Sequence, residues 1–221
     1  SLELKADHSA LIMKQIWDFS QTVDIDDVKE ILDRQITCNM AIANEGIHNS
    51  YGANIGHVIL NMDSDCVKTR AKAYAAAGSD ARMNGCELPV VINSGSGNQG
   101  ITCCVPVVVY AKELDCTQEQ LYRALVLSNL TAIYIKTGIG TLSAFCGAVS
   151  AGAAAGAGIA YLHNGTYKEI QHTIVNALAI LSGTICDGAK ASCAAKIASS
   201  VDAGIMAVSY THLTLPTKRI V

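Results

Sequence analysis

Apolar residues recur at intervals of three and four along most of the chain, the spacing that places them on one face of an α-helix. The clearest case covers residues 26–43, where the periodic positions are Val28, Ile31, Leu32, Ile36 and Met40. Asp24 or Asp26 supplies an N-cap, and Gly46 follows as a stop signal. An Ala-rich run predicts another helix over 65–77, ended by Gly78.

Two capping boxes mark further helix starts, because a Ser or Thr followed three residues later by Glu or Gln satisfies two free backbone N–H groups. They are Thr117 with Gln120 and Thr166 with Glu169. Periodic patterns also predict helices over 10–19, over 143–162, and from Gly188 towards Met206. No run alternates as a strand does, so the sequence predicts an all-α fold.

The two ends of the chain differ from the rest. The chain begins at Ser1 and enters a helical pattern almost at once, so we expect the natural protein to extend upstream. Residues 208–221 share neither the period nor the composition of what precedes them. We therefore predict one helical domain over 1–207 and a foreign tail over 208–221, the alternative being a genuine terminal extension.

Composition limits the classes of function. The net charge is −3 and the pI about 6.0, so no cationic field attracts a phosphate backbone, and nucleic acid is not an expected partner. Nine cysteines, an odd number in a large apolar chain with no signal peptide, indicate free thiols in a reducing cytoplasm. The composition does not decide whether the chain forms a homo-oligomer.

An uncharged stretch over 137–162 has the length of a membrane helix and contains Gly152 and Gly156 in GxxxG spacing. Ala and Gly insert poorly into bilayers, and no aromatic belt or basic flank accompanies them. A buried core helix is favoured, and a membrane protein is kept as the weaker alternative.

A polar, glycine-dense island interrupts the apolar chain. Such a segment exposes backbone N–H groups to a small anion, and without a Gly-Lys-Ser/Thr sequence a carboxylate is a better candidate than a nucleotide. The same residue types also make ordinary connecting turns. The candidate substrate-binding residues are Asn93, Ser94, Gly95, Ser96, Gly97, Asn98, Gln99 and Gly100.

Three cysteines, Cys146, Cys186 and Cys193, stand in settings that differ from those of the other six. On one straight helix, Cys186 and Cys193 would be about 10 Å apart along the axis, so Cys186 is expected in a turn before the helix. Lys190 and Lys196 could offset the charge of thiolates. By spacing alone, buried structural cysteines are the commoner interpretation. The remaining six are interpreted as structural: Cys38, Cys66, Cys86, Cys103, Cys104 and Cys116.

Several segments together resemble the L-cysteine desulfidase family, which belongs with the serine dehydratase-like alpha chains. The resemblance covers residues 1–207. Its motifs are 79–83, Leu88 with Pro89, 93–101, 185–189 and 192–194, together with Asn39, Glu45, Gly46 and the spacing of the three cysteines.

The resemblance implies a compact helical catalytic domain in which Cys146, Cys186 and Cys193 bind a 4Fe-4S cluster with one iron left open as a Lewis acid. It implies an amino-acid substrate whose carboxylate is held by the Gly-rich segment. Cysteine would give pyruvate, ammonia and sulfide. The family's proposed base is a cysteine in an upstream Gly-Cys-Thr-Glu-Pro motif, which these 221 residues lack, so the catalytic residue is unknown. We therefore expect this chain alone to bind a cluster without turnover.

Two functional alternatives accompany this hypothesis. One is L-serine dehydration by the same chemistry, in which hydroxide leaves instead of hydrosulfide. The other is a cofactor-free module that binds a small molecule through the Gly-rich segment, with all cysteines structural. Iron uptake distinguishes the cofactor-free module, which would bind no iron, from both lyase hypotheses.

Overall fold

A computed structural model of the protein describes residues 11–140 and 143–214. Within these ranges the chain forms helices and no strands, which confirms the all-α prediction. The helices are α1 (Met13–Thr22), α2 (Ile25–His48), α3 (Ile55–Met62), α4 (Val67–Met83), α5 (Gly97–Glu113), α6 (Gln118–Ile139), α7 (Gly147–Leu162), α8 (Tyr167–Ile180) and α9 (Cys193–Thr214).

Local capping signals place three helix starts correctly. Asp24 is the N-cap of α2, and its carboxylate accepts the Asp26 amide at 3.1 Å. Both capping boxes form as predicted, opening α6 at Thr117 and α8 at Thr166. These signals succeed because each involves atoms no more than three residues apart.

The prediction that Gly46 and Gly78 end their helices was wrong. Gly46 lies inside α2 and Gly78 inside α4, and both helices continue past them. A Cβ on Gly46 would lie 2.1 Å from the Ala77 carbonyl oxygen, and one on Gly78 would lie 3.3 Å from the Ala43 Cα. Here glycine lets the backbones of α2 and α4 approach closely and does not end either helix.

The core is centred on α7, which packs against α5, α6, α8 and α9. Every residue from Ser150 to Ala160 is buried. A Cβ on Gly152 would lie 2.4 Å from the Ser200 carbonyl oxygen, and one on Gly156 would lie 2.9 Å from the Gly204 carbonyl oxygen. The GxxxG spacing therefore serves the close contact of α7 with α9.

The membrane alternative finds no support in the described part of the chain. No helix there has the combined length and apolar character needed to span a bilayer. The uncharged stretch is also divided, because α6 ends at Ile139 and α7 begins at Gly147.

Two helices begin four or five residues later than the sequence predicts. The helix predicted from Ser143 begins at Gly147, and the helix predicted from Gly188 begins at Cys193. The latter also continues to Thr214, beyond the proposed boundary at residue 208, and the Val208 and Thr211 side chains are buried. Residues 208–214 thus extend α9. The foreign origin proposed for the tail stays a prediction, and residues 215–221 lie outside the described ranges.

Candidate functional site

One cavity of about 340 Å³ brings together the three singled-out cysteines and part of the Gly-rich segment. Its volume lies at the lower end of the range usual for small-molecule sites. Three segments far apart in sequence form most of its walls: the start of α5, the start of α7 with the residues before it, and the loop between α8 and α9 with the start of α9. The polar and charged lining residues are Arg82, Ser96, Asn98, Gln99, Lys136, Ser143, Cys146, Cys186, Cys193 and Lys196.

Cys146 is the N-cap of α7 and is buried. Its backbone N–H donates to the Thr184 carbonyl at 3.1 Å, which ties the start of α7 to the loop before α9. Burial raises the pKa of the Cys146 thiol, and the neighbouring Lys196 partly opposes this effect. The thiol thus lies at a helix N-terminus beside a cation, although burial has the larger effect on its pKa.

Cys186 lies in the loop before α9, as its spacing from Cys193 predicted. Its side chain is exposed, and its backbone N–H donates to the Ala144 carbonyl at 2.7 Å. An isolated antiparallel bridge between Phe145 and Ile185 completes the connection. Cys186 is thus held next to the Cys146 segment by backbone hydrogen bonds.

Cys193 is the first residue of α9 and is half-buried. The Lys190 backbone N–H donates to its Sγ at 3.5 Å, and the Sγ lies 3.7 Å from the Gly188 carbonyl oxygen. Like Cys146, Cys193 stands at the positive end of a helix.

The Gly-rich island divides into a turn and a helix start. Asn93 and Ser96 exchange backbone hydrogen bonds across Ser94 and Gly95, which both have positive φ, as in a type I′ turn. Ser96 then caps α5, and its Oγ accepts the Gln99 amide at 3.4 Å. The prediction of a loop is therefore right for 93–96, whereas 97–100 form the first turn of α5.

The structure distributes the predicted substrate-binding residues over two cavities. Gly95, Ser96, Asn98 and Gln99 line the cavity that contains the cysteines. Asn93 and Ser94 instead line a second, mainly apolar cavity of about 280 Å³.

Gly97 and Gly100 lie where the start of α5 packs closely against neighbouring segments. A Cβ on Gly97 would lie 2.3 Å from Arg82 Nε, and one on Gly100 would lie 2.0 Å from the Val91 carbonyl oxygen. Both glycines thus allow the start of α5 to approach its neighbours.

Arg82, in the last turn of α4, was not singled out as a site residue by the sequence. It lines the cavity, and its Nη1 donates to Asn98 Oδ1 at 3.2 Å. Its position in the motif of residues 79–83 was a usable signal, but nothing in that motif shows which cavity the side chain faces.

The lining carries positive charge. Arg82, Lys136 and Lys196 border the cavity, and its lining residues include no carboxylate. Outside the lining, Asp187 pairs with Lys196, which lowers the pKa of the Asp187 carboxyl and raises that of the lysine. The predicted role of Lys196 near the thiols agrees with this position, and Lys190 does not line the cavity. The arrangement suits an anion.

The three cysteines border one cavity but do not form a site for a single metal ion. Among the described residues, no group of three or more His, Cys, Asp or Glu side chains has the arrangement to hold one metal ion. In a 4Fe-4S cluster each thiolate binds a different iron, so the ligands need not converge on one point. The three thiols are free, border one cavity and face no carboxylate there, which is compatible with that group. The ligand assignment itself stays a prediction.

Comparisons with known proteins identify the family of the chain. A family model described as serine dehydratase alpha chain matches residues 3–220. A UPF0597 protein of Desulfitobacterium hafniense (strain Y51) is 62% identical over 200 residues, which are 90% of this chain and 46% of that protein. A UPF0597 protein of Lachnoclostridium phytofermentans is 60% identical over 201 residues, 91% of this chain and 48% of that protein. The chain thus spans about half the length of these curated relatives. No solved structure matches it.

Proposed function

Because the chain belongs to the serine dehydratase alpha chain family, we propose that it forms the cluster-binding part of a lyase that removes the β-substituent of an amino acid. The proposed substrate is L-cysteine, which gives pyruvate, ammonia and hydrogen sulfide. L-Serine is the alternative substrate. The main support is the convergence of three free cysteines and the start of α5 on one cationic cavity.

Cys146, Cys186 and Cys193 would hold a 4Fe-4S cluster. When bound, the cluster would supply an open iron that acts as a Lewis acid towards the leaving group. Lys196 beside the thiols reduces the electrostatic cost of gathering negative charge there. Because the three cysteines must stay reduced to bind iron as thiolates, we also propose a reducing cytoplasm as the compartment.

The start of α5 would orient the substrate. Its first amide groups, at Gly97 and Asn98, have no intrahelical acceptor, as at the start of any helix, and they carry the positive end of the helix dipole. A substrate carboxylate bound beside Asn98 would lie in the same cavity as the cysteines.

The reaction balances with water as the co-reactant. Loss of the α-proton and departure of hydrosulfide from the β-carbon leave aminoacrylate, which water converts to pyruvate and ammonia. The family resemblance assigns proton removal to a cysteine in a motif that these 221 residues lack. Turnover is therefore proposed for the whole protein.

Anaerobic reconstitution of the 221-residue chain with iron and sulfide tests the cluster. We expect broad visible absorption and close to four irons and four sulfides per chain. Both should be lost when Cys146, Cys186 and Cys193 are changed together to Ala. The matched control changes three half-buried cysteines outside the cavity, Cys38, Cys86 and Cys116, and should retain the cluster. Folded chain without iron would refute the cluster and favour the cofactor-free binding module.

A graft tests the reaction, because the chain spans about half of its relatives. The chain replaces the matching segment of the Desulfitobacterium hafniense protein, and sulfide and pyruvate are measured with L-cysteine or L-serine as substrate. Sulfide and pyruvate in equal amounts from L-cysteine support the proposed substrate. Pyruvate from L-serine alone would replace it with the alternative.

A further inference from the structure

Arg82 is a half-buried cation that lacks an acidic partner. Its guanidinium offers five N–H donors, yet among the described residues its side chain donates one hydrogen bond to Asn98 Oδ1 at 3.2 Å and one to Met83 Sδ at 3.3 Å. Among the described ion pairs, none includes Arg82. Charges removed from water are normally paired, and the planar guanidinium matches carboxylate geometry, so the remaining donors of this half-buried group are suited to an anionic ligand.

The position of Arg82 is fixed by the start of α5. Asn98 accepts from the guanidinium, and the Asn98 carbonyl accepts from Thr102 Oγ1 at 2.7 Å, so Asn98 is itself anchored within α5. Gly97 leaves room for the arginine, since a Cβ there would lie 2.3 Å from Arg82 Nε. The Gly-rich segment thus brings a guanidinium beside the first turn of α5.

Gln99 supplies an independent sign of a ligand. Its side chain is 7% exposed and lines the same cavity, and its Oε1 has no hydrogen-bond partner among the described residues. A buried unpaired acceptor is costly, and a donor brought by a ligand would satisfy it. Gly147 leaves room for this amide, because a Cβ there would lie 2.5 Å from Gln99 Nε2.

We propose that Arg82 binds the α-carboxylate of the substrate, with Asn98 as its positioning residue and Gln99 as the acceptor for the α-ammonium group. The cavity then selects α-amino acids as zwitterions, whatever their leaving group. This inference rests on the proposed function, because it concerns the same cavity. It adds a residue that neither the Gly-rich motif nor the cysteine pattern identifies.

Binding of two unreactive probes tests the role of Arg82. L-Alanine carries the carboxylate and the ammonium group but no leaving group, whereas L-alaninol lacks the carboxylate. Each is titrated calorimetrically into the wild-type chain, Arg82→Gln and Arg82→Lys, both metal-free and after reconstitution. Arg34→Gln, at an exposed position on α2, is the matched control.

Loss of a charge-assisted hydrogen bond should weaken L-alanine binding to Arg82→Gln about 10- to 100-fold. L-Alaninol affinity should not change, and Arg34→Gln should bind both probes as the wild type does. Arg82→Lys keeps the charge without the planar fork and should fall between the two. Circular dichroism and thermal melting establish that each variant is folded.

Other outcomes would overturn the inference. Equal weakening of both probes would show a structural role for Arg82, and unchanged L-alanine affinity, or no L-alanine binding by the wild type, would remove the carboxylate contact. Because the metal-free chain is also titrated, failure to form a cluster is recorded separately. A graft that is an active lyase, with an unchanged KM in Arg82→Gln, would overturn this inference and leave the proposed function intact.

Discussion

Phe145 and Ile185 form an antiparallel bridge that joins the start of α7 to the loop before α9. The bridge places Cys146 and Cys186, the residues that follow each of them, in adjacent backbone segments. The two cysteines nevertheless differ in environment, since Cys146 is buried and Cys186 is exposed. Pairing of the segments, and not a shared helix, brings these thiols to one cavity.

This difference predicts an order of thiol alkylation. In the metal-free chain, Cys186 should react quickly with N-ethylmaleimide, because its side chain is exposed. Cys103 and Cys104 should stay unmodified, because both are fully buried and burial raises their pKa values, that of Cys103 to about 12. Mass spectrometry of peptides over a time course measures each site.

Reconstitution with iron and sulfide should then protect Cys186 and Cys193, because metal-bound thiolates do not react. Cys66 is an internal control outside the cavity, since it is exposed and hydrogen bonds from the Thr69 hydroxyl and backbone lower its pKa. Its alkylation rate should be the same in both samples. Equal rates at Cys186 before and after reconstitution would argue against its role as a ligand.

The close contact of α7 with α9 predicts that one added methyl group at Gly152 lowers the stability of the protein. Gly152→Ala would place a Cβ 2.4 Å from the Ser200 carbonyl oxygen, so the helices must separate. We expect the free energy of unfolding to fall by about 1–3 kcal/mol, measured by urea denaturation.

The same substitution at Gly138 is the matched control, because a Cβ there meets no atom within 4 Å. Gly138→Ala in α6 should leave the free energy of unfolding unchanged or raise it by up to about 1 kcal/mol. If both variants had the same stability, the glycine contact would not be a determinant of helix packing.

Helix starts could be predicted from the sequence because their signals are local. Thr117 and Thr166 each need one partner three residues away, and the structure contains both pairs. The signal of Gly46 was ambiguous, because a glycine that ends a helix and a glycine that allows close packing look alike in sequence. The Ala77 carbonyl that decides between them is 31 positions away.

The candidate site also divides into features with local sequence signals and features that depend on long-range packing. The position of Cys186 before α9 follows from its spacing to Cys193, whereas the helix that begins after Ser96 was not predicted, because the Gly-rich segment was interpreted as a loop throughout. The sequence also grouped Asn93 with Gln99, but the turn between them directs these two residues to different cavities. The motif of residues 79–83 contains Arg82, but the cavity that its side chain faces depends on how α4 packs against α5.

Asp80 in α4 is a buried carboxylate that holds the start of another helix. It is 1% exposed, and its Oδ2 accepts the Ile55 backbone N–H at 2.7 Å, at the beginning of α3. Its Oδ1 has no hydrogen-bond partner among the described residues. Burial raises the pKa of this carboxyl above its usual 3.8, although the amides of Ile55 and Ala53 partly oppose the effect.

A raised pKa means that folding favours the protonated form of Asp80. Its contribution to stability is therefore fully present below pH 3.8 and is lost as the pH rises through the raised value. Asp80→Asn cannot ionise, so the stability of the wild type minus that of the variant should decrease over this window. Urea unfolding at steps from about pH 4 to 7 measures the difference.

Glu30→Gln, at an exposed position on α2, is the control and should give no such slope. Parallel curves for the wild type and Asp80→Asn would mean that Asp80 ionises as easily in the folded protein as in the unfolded chain.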